Sequence, residues 1–265
     1  MTREFTSDVS RRTYLKLTGA SSVAGLSATA GCIGGGDDTQ TITPGTAPGF
    51  APFEMKKDGE LVGFDVDLLE AVVAETDYEL DDWQEIKFDS LIPALTNERI
   101  DVIAAAMTIN AKRKERIAFS DPYWESDQSI LVREGGDFQP GDWSDFEGKT
   151  VGAQSGTTGA GLVDEELIKP EIISKEDFST YDSYVFAVED LENENIDAVV
   201  IDQPVAKTFA AERDVEAAFV HETNEQFGFG LRQGESELQT ALNEGLAAVK
   251  EDGTYDELTK TWFGE

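Results

Sequence analysis

The stretch that decides the fold is DVIAAAMTINAKRKERIAFSDPYW, residues 101–124. Its apolar run predicts a buried strand that breaks at Thr108 and Asn110. Residues 112–116 then include four cations, in a chain whose formal net charge is −33. Ligands of open α/β sheets bind beyond the carboxyl ends of the strands, so the cationic stretch is a candidate anion site.

Within this stretch, Arg113 is the candidate for a specific role. A guanidinium presents a rigid fork of donors that can hold a carboxylate through two hydrogen bonds. Lysines and arginines that accompany glutamate at the start of a helix usually form a solvated face, and Lys112, Lys114 and Arg116 are interpreted in that way. The flanking sequence must indicate which anion Arg113 binds.

Composition limits the possible partners. The chain has 265 residues, enough for one large domain or two lobes with separate cores. Asp and Glu number 54 against 21 Lys and Arg, and the acids occur in every segment. Dispersed acidity predicts a surface adapted to concentrated salt, as in an extreme halophile. It also argues against a nucleic-acid partner, because binding would require Lys and Arg to neutralise phosphates.

The first 31 residues predict an export signal that is removed. SRRTYLK, residues 10–16, is close to a complete twin-arginine pattern. The weakly apolar stretch 17–30 is too short for a good membrane-spanning helix. It ends in TAGC, residues 29–32, which resembles a lipobox with Thr29 where Leu is more usual.

Cys32 is the only cysteine of the chain and the predicted site of lipid attachment. For an unpaired cysteine in an exported protein, a free thiol and an intermolecular disulfide are the alternatives. Residues 32–40 are interpreted as a flexible polar tether, a context that favours the lipid. We therefore expect the mature chain on the outer face of the cytoplasmic membrane, held there by its lipid anchor.

The remainder of the chain alternates between predicted strands and predicted helices. The predicted strands are 41–43, 86–88, 100–106, 128–132, 149–153, 172–173, 198–201 and 217–220. The predicted helices include 64–76, 90–95, 183–193, 203–213, 235–250 and 253–262. This alternation implies mostly parallel sheets and an α/β fold class.

A Gly-rich break at 134–137 divides the alternation into two series, which predicts two lobes. Lobe 1 is expected to comprise 41–133 and 226–265, and lobe 2 to comprise 137–222. The chain would cross between them at 133–137 and at 221–226. The two crossings together would form a hinge.

Nearly the whole mature chain, from residue 41 to 265, resembles the amino-acid-binding solute-binding proteins of ABC importers. These are the binding proteins of the glutamine, histidine and lysine-arginine-ornithine type. The segments that carry the resemblance are PFE at 52–54, GFDVDL at 63–68, LIPAL at 91–95, TI at 108–109 with Arg113, FSDPY at 119–123, GK at 148–149, SGTT at 155–158, DAV at 197–199 with Asp202, GTY at 253–255 and WF at 262–263. The resemblance implies a type II periplasmic-binding-protein fold whose two lobes close on a free α-amino acid.

The resemblance also implies how the ligand carboxylate is bound. Arg113 falls where the family places its carboxylate fork. The turn that contains Thr157 and Thr158 can direct backbone N–H groups from the start of a helix at the same oxygens. Taken alone, this turn would be an ordinary strand-to-helix connection, and it lacks the spacing of a phosphate-binding loop.

For the ligand ammonium, the resemblance implies three acceptors. Asp202 matches the family's ammonium acceptor, and the Thr108 hydroxyl and the Ala106 carbonyl complete that side. Without the family pattern, Asp202 is equally well interpreted as the N-cap of the following helix. Asp65, at the start of the 64–76 helix, is interpreted as favouring the helix dipole.

The ligand side chain is expected to meet Phe50 and Phe88, where the family places aromatic residues, although base rates alone favour core positions for both. Gln154 occupies a variable position and can hydrogen-bond a polar side chain. Binding proteins for basic ligands have an acid where this chain has Ala47. The expected ligand is therefore a polar or small neutral amino acid, or glutamate, in preference to lysine or arginine.

The implied function is capture of this amino acid and its delivery to an ABC permease, with ATP hydrolysed by a separate subunit. No catalytic residue, cofactor or metal ligand is predicted, and we expect a monomer. One alternative is a cyclohexadienyl or arogenate dehydratase on the same fold, which would need an acid in the cleft to protonate a leaving group. The other alternative is the ligand-binding domain of a receptor.

Overall fold

The computed structural model describes residues 40–264. The predicted signal peptide, Cys32 and the tether up to residue 39 lie outside the described residues. Gln40, expected at the end of the tether, is instead the first residue of a strand. No helix among the described residues is both long enough and apolar enough to cross a membrane.

The described residues form an alternating series of strands and helices. The strands are β1 (Gln40–Ile42), β2 (Pro44–Thr46), β3 (Met55–Lys57), β4 (Glu60–Val62), β5 (Tyr78–Leu80), β6 (Gln84–Glu85), β7 (Val102–Ile103), β8 (Ile117–Phe119), β9 (Trp124–Arg133), β10 (Val151–Gln154), β11 (Phe178–Tyr181), β12 (Ala198–Asp202), β13 (Val215–Phe227) and β14 (Gly230–Arg232). The α-helices are α1 (Phe64–Ala74), α2 (Phe88–Thr96), α3 (Ala111–Lys114), α4 (Thr158–Val163), α5 (Tyr184–Glu192), α6 (Gln203–Glu212), α7 (Ser236–Glu251) and α8 (Thr254–Phe263).

Two five-stranded sheets organise these elements, one in each lobe. The lobe 1 sheet has the order β6-β2-β7-β14-β8, and the lobe 2 sheet has the order β11-β10-β12-β9-β13. In lobe 1, β2 is parallel to β6 and β7, whereas β14 is antiparallel to β7 and β8. In lobe 2, β10 is parallel to β11 and β12, whereas β9 is antiparallel to β12 and β13. The predicted two-lobed α/β fold is confirmed, with mixed sheets.

Helix α1 shows why the apolar pattern produces a helix in lobe 1. Its buried apolar side chains recur at helical spacing, and they are Phe64, Val66, Leu68, Leu69, Val72 and Val73. Helices α7 and α8 pack against α1. A Cβ atom at Gly245 of α7 would lie 2.4 Å from the Val72 carbonyl oxygen, so the close approach of α7 to α1 requires glycine there.

Two of the predicted strands are wrong. Residues 86–88 do not form a strand, because Phe88 begins α2 and is buried together with Leu91 and Leu95 on one helix face. Residues 172–173 do not form a strand either, since the outer strand β11 of the lobe 2 sheet comes later, at 178–181. Ile173 is buried in the lobe 2 core without joining the sheet.

The passage of the chain between the lobes differs from the expected lobe boundaries. Strand β9 lies in the lobe 2 sheet along its whole length, although lobe 1 was expected to extend to residue 133. Trp124, at the start of β9, is paired with Phe227, at the end of β13. Both rings pack against Phe53 of lobe 1, with centroid distances of 5.5 and 5.4 Å. We therefore propose that the hinge consists of the start of β9 and the end of β13.

Candidate functional site

The carboxyl ends of β7, β10 and β12 face one pocket between the two lobes. All nine residues expected from the sequence line it, namely Phe50, Phe88, Ala106, Thr108, Arg113, Gln154, Thr157, Thr158 and Asp202. In this arrangement the pocket has a volume of about 10 Å³, roughly what a single water molecule needs. This volume is too small for an amino acid.

Arg113 lies between the lobes and contacts both. Asn110 caps α3 by accepting a hydrogen bond from the Arg113 backbone N–H at 2.9 Å, which sets the direction of the helix. The buried guanidinium donates to the Thr108 carbonyl at 2.8 Å and to the Gly156 carbonyl of lobe 2 at 3.2 Å. It also lies over the Phe88 ring, 5.3 Å from the centroid.

Arg113 remains charged although it is buried. Burial lowers the pKa of Arg113 to about 10, and the nearby carboxylates of Glu225 and Asp202 act in the opposite direction. The guanidinium is therefore still cationic at neutral pH. Lys112, Lys114 and Arg116 are exposed, in keeping with the solvated face predicted for them.

Asp202 ends β12 on the lobe 2 side of the pocket and is 4% exposed. Its side chain makes no capping hydrogen bond to α6, so the N-cap alternative does not describe this carboxyl. Oδ1 accepts a hydrogen bond from Gln128 Nε2 at 2.9 Å. Burial and the neighbouring Glu225 raise the pKa of Asp202 to about 8, against the opposing effects of Gln128 and Arg113. A cationic group placed against Asp202 would favour its ionised form.

Ala106 is held in an uncommon backbone conformation by a buried acid. Its φ angle is +43°, in the left-handed region that non-glycine residues rarely adopt. The Ala106 N–H and the Tyr123 hydroxyl both donate to Asp65 Oδ2, each at 2.6 Å. Asp65 is fully buried, which raises its pKa to about 7. Asp65 therefore accepts hydrogen bonds from Ala106 and Tyr123. The sequence alone indicated only an acid that favours the helix dipole.

The turn between β10 and α4 is built by its own side chains. The Thr157 hydroxyl donates to the Gln154 carbonyl at 2.8 Å and accepts from the Ala160 N–H at 3.1 Å, which caps α4. The Gln154 side-chain amide donates to the Asp182 carbonyl at 3.0 Å. In this arrangement Gln154 therefore supports the lobe 2 wall, although it was expected to reach the ligand side chain.

Aromatic rings form the apolar part of the pocket wall. Phe50 is buried and lies 5.6 Å from the ring of Tyr184, which belongs to lobe 2. The Tyr184 hydroxyl is 3.1 Å from the Thr157 hydroxyl. Tyr184 was not expected from the sequence, because nothing in the spacing around it distinguishes it from an ordinary core residue of α5.

Glu225 is the main residue that the sequence patterns did not indicate. Its Oε2 accepts hydrogen bonds from the hydroxyls of Thr108, in lobe 1, and Thr158, in lobe 2, both at 2.8 Å. Its Oε1 is 3.4 Å from Gln128 Nε2. The register of β13 against β9 shifts between His221 and Glu225, and no sequence pattern predicts this irregularity.

The electrostatic environment of the pocket is dominated by acids. Glu54 is completely buried, and burial, followed by the charges of Asp65 and Asp202, raises its pKa well above the ordinary value. With Glu225, four carboxyls therefore lie in or behind the pocket wall beside the single cation Arg113. No cluster of three or more His, Cys, Asp or Glu side chains within 40–264 is arranged to hold a metal ion.

A wider cleft opens next to this pocket, with a volume of about 430 Å³. The two share Phe88, Arg113, Thr157 and Thr158 in their walls. The residues that line the wider cleft also include Lys112, Arg116, Asp89, Glu165 and Glu225. We call this cleft the mouth of the pocket.

Comparison with known proteins agrees with this geometry. A sequence model of the bacterial extracellular solute-binding proteins, family 3, matches residues 42–265. A probable histidine-binding protein of Campylobacter jejuni is 35% identical over 227 residues, which cover 84% of this chain and 85% of that protein.

Two solved structures are similar to the whole described fold. An ancestral arginine-binding protein bound to arginine has a TM-score of 0.78 and 35% identity, covering 84% of this chain and 98% of the other. An ancestral amino acid-binding protein, a precursor of cyclohexadienyl dehydratase, has a TM-score of 0.77 and 33% identity, with 84% and 95% covered. All three named relatives are binding proteins, and one of them is related to an enzyme.

Proposed function

Because this chain belongs to the bacterial extracellular solute-binding proteins of family 3, we propose that it captures a free α-amino acid outside the cytoplasm and delivers it to an ABC permease. The observation that carries the proposal is one pocket lined by Arg113 from lobe 1 and Asp202 from lobe 2. A cation and an anion on opposite walls match the two charges of a zwitterion. The ligand would therefore bridge the lobes and stabilise their closed arrangement.

The proposed binding sequence uses the groups already described. The α-carboxylate binds the guanidinium of Arg113 and donors of Thr158. We also assign the Thr108 hydroxyl, expected on the ammonium side, to the carboxylate, because it donates to a carboxyl oxygen of Glu225 at 2.8 Å. The α-ammonium binds Asp202 and the Ala106 carbonyl, and its charge favours the ionised form of Asp202. Phe50 and Phe88 then pack against the ligand side chain. The closed form docks on the permease, and a separate subunit hydrolyses ATP.

A polar neutral amino acid remains the first ligand candidate, because Ala47 leaves a basic side chain without an acid at that position. A cationic amino acid is the second candidate. Glu225 favours it, since its carboxyl group lies beside the pocket, in contact with Thr108 and Thr158. The similar proteins named for histidine and arginine also support it. Glutamate is the least favoured, because it would add another carboxylate.

Titration calorimetry with the twenty amino acids in molar KCl tests the proposal. Arg113→Ala should weaken binding of the best ligand by at least about 100-fold, because truncation leaves a desolvated carboxylate unpaired. Lys114→Ala is the matched control, since it removes an exposed cation from the same helix and should leave affinity within about twofold. Equal effects of the two substitutions would place the carboxylate elsewhere.

A dehydratase is a rival function that one observation favours. The raised pKa of Asp202 would suit a general acid, and a similar protein is a precursor of cyclohexadienyl dehydratase. We propose that Asp202 binds an ammonium group and that the protein is not an enzyme. Incubation with prephenate or arogenate should therefore yield no product above the uncatalysed rate, and turnover abolished by Asp202→Asn would refute this.

We also propose that the chain is exported through the twin-arginine route, lipid-anchored at Cys32 and monomeric, and that it works in concentrated salt. The acidic composition supports the last point. Cys32→Ser should release the protein from the membrane into the medium, and continued retention would exclude the anchor. Molar KCl should increase the free energy of unfolding, measured by denaturant titration, and equal stability in dilute buffer would exclude halophilic adaptation.

A further inference from the structure

Glu225 makes the contacts that a ligand carboxylate would make. Its Oε2 accepts the hydroxyls of Thr108 and Thr158, one from each lobe, at 2.8 Å. The same two hydroxyls lie only 3.4 Å apart, so a single oxygen serves both. Burial lowers the pKa of the Arg113 guanidinium, and the negative charge of Glu225 opposes this more strongly than that of Asp202 does. These are the donors that the proposed function assigns to the α-carboxylate.

We propose that Glu225 is an internal competitor of the ligand: it holds the lobes together through Thr108 and Thr158, and an incoming α-carboxylate must displace it. The inference rests on the proposed function, because it assumes the same carboxylate site. It adds that Glu225, a residue of the proposed hinge, lowers the affinity for every α-amino acid. We call the contact of Glu225 with the two threonines the latch.

The hydrogen bonds of Glu225 support displacement over simultaneous binding. While Glu225 Oε2 accepts from the Thr108 and Thr158 hydroxyls, a ligand oxygen cannot take the same place between them. Glu225 also lines the mouth, whose volume is about 430 Å³. A displaced Glu225 side chain can turn into this mouth, whose lining includes the cations Lys112 and Arg116 as well as the acids Asp89 and Glu165.

The other polar contacts between the lobes near Glu225 are weaker, or they do not use the hydroxyls that a ligand carboxylate needs. Lys87 and Asp182 form an ion pair at 2.6 Å, but both are more than half exposed, and molar salt would screen them. Arg113 donates to the Gly156 carbonyl at 3.2 Å without involving either hydroxyl. The latch is thus the contact that a ligand must break in order to use Thr108 and Thr158.

The latch has a thermodynamic consequence. A latched molecule cannot bind, so the apparent dissociation constant equals the intrinsic one divided by the fraction of molecules that are unlatched. Hydrogen bonds to an ionised acceptor are the strong ones, so loss of the charge at Glu225 should increase the unlatched fraction about tenfold. Removing the acid should therefore tighten binding, which is the opposite of the effect expected for a residue that contacts the ligand.

Titration calorimetry of Glu225→Gln and Glu225→Ala tests the latch in the full mature chain, with the amino acid that binds the wild type best. Both variants should bind about tenfold more tightly. Glu222→Gln is the matched control, because it removes an exposed acid from the same strand and should leave affinity unchanged. Weaker binding by the Glu225 variants would mean that Glu225 contacts the ligand directly. Unchanged binding would mean that Glu225 does not affect ligand affinity. Either result overturns the proposal.

Small-angle X-ray scattering separates failure of the latch from failure of the proposed function. Without added amino acid, Glu225→Ala should have a larger radius of gyration than the wild type or Glu222→Gln. This comparison stays valid even if no amino acid binds the wild type, an outcome that would refute the proposed function alone. Identical radii for wild type and Glu225→Ala would overturn the latch.

Discussion

Amino-acid binding should become tighter as the pH rises toward 8, because of the environment of Asp202. Burial and the proximity of Glu225 raise the pKa of Asp202 to about 8, so the carboxyl is mostly protonated at neutral pH. An ammonium ligand requires the ionised carboxylate, and once bound it lowers the pKa of Asp202. Binding therefore releases a proton below pH 8, and affinity should increase as the pH rises toward 8.

The size of this effect follows from the ionised fraction before binding. Because the pKa of Asp202 is raised by burial and by Glu225, only a small part of the carboxyls is ionised at pH 6, and this part grows as the pH rises. Affinity should therefore increase by at least about tenfold from pH 6 to pH 8. Arg113, with a pKa of about 10, keeps its charge throughout this range.

Calorimetry in buffers of different ionisation enthalpy measures both the affinity and the protons released. At pH 7 the wild type should release about one proton for each ligand bound. Asp202→Asn should bind more weakly at pH 8, release almost no proton and lose most of the pH dependence. A variant that keeps the wild-type pH profile, or proton uptake by the wild type, would refute the assignment of the ammonium group to Asp202.

Two further predictions concern the framework of lobe 1. Asp65→Ala should lower the free energy of unfolding by about 1–3 kcal/mol, because it removes the oxygen that accepts from both the Ala106 N–H and the Tyr123 hydroxyl, and ligand affinity should fall with it. Denaturant titration measures this, and an unchanged midpoint would contradict it. Gly245→Ala should destabilise by about 1–3 kcal/mol through its clash with the backbone of α1, whereas Gly161→Ala, with open space around it, should be neutral or slightly stabilising. Equal midpoints for these two variants would contradict the close packing.

The local pattern of the sequence singled out Arg113, which follows the break at 108–110 at the end of a predicted strand. Thr157, Thr158 and Asp202 also lie at strand-to-helix connections, but they were assigned to the site only through the family resemblance. The structure brings all of them to one pocket.

What the sequence did not indicate depends on packing between distant segments. Glu225 reaches the pocket because the register of β13 against β9 shifts, and a strand pattern carries no information about such a shift. Asp65 is positioned by its contact with Ala106, 41 residues further along the chain. The crossing expected at 133–137 followed the Gly-rich break, but β9 had already entered the lobe 2 sheet at Trp124. Tertiary contacts decided each of these features.

The central claim is that one zwitterion bridges Arg113 and Asp202, and ligand analogues that lack one charge test it most directly. Wild-type protein in molar KCl is titrated with its best amino acid, with the amine that lacks the carboxylate, and with the α-hydroxy acid that lacks the ammonium. We predict that each analogue binds at least about 100-fold more weakly, because each loses one of the two charged contacts that the bound zwitterion makes with Arg113 and Asp202. Binding of either analogue as tight as that of the amino acid would contradict the claim.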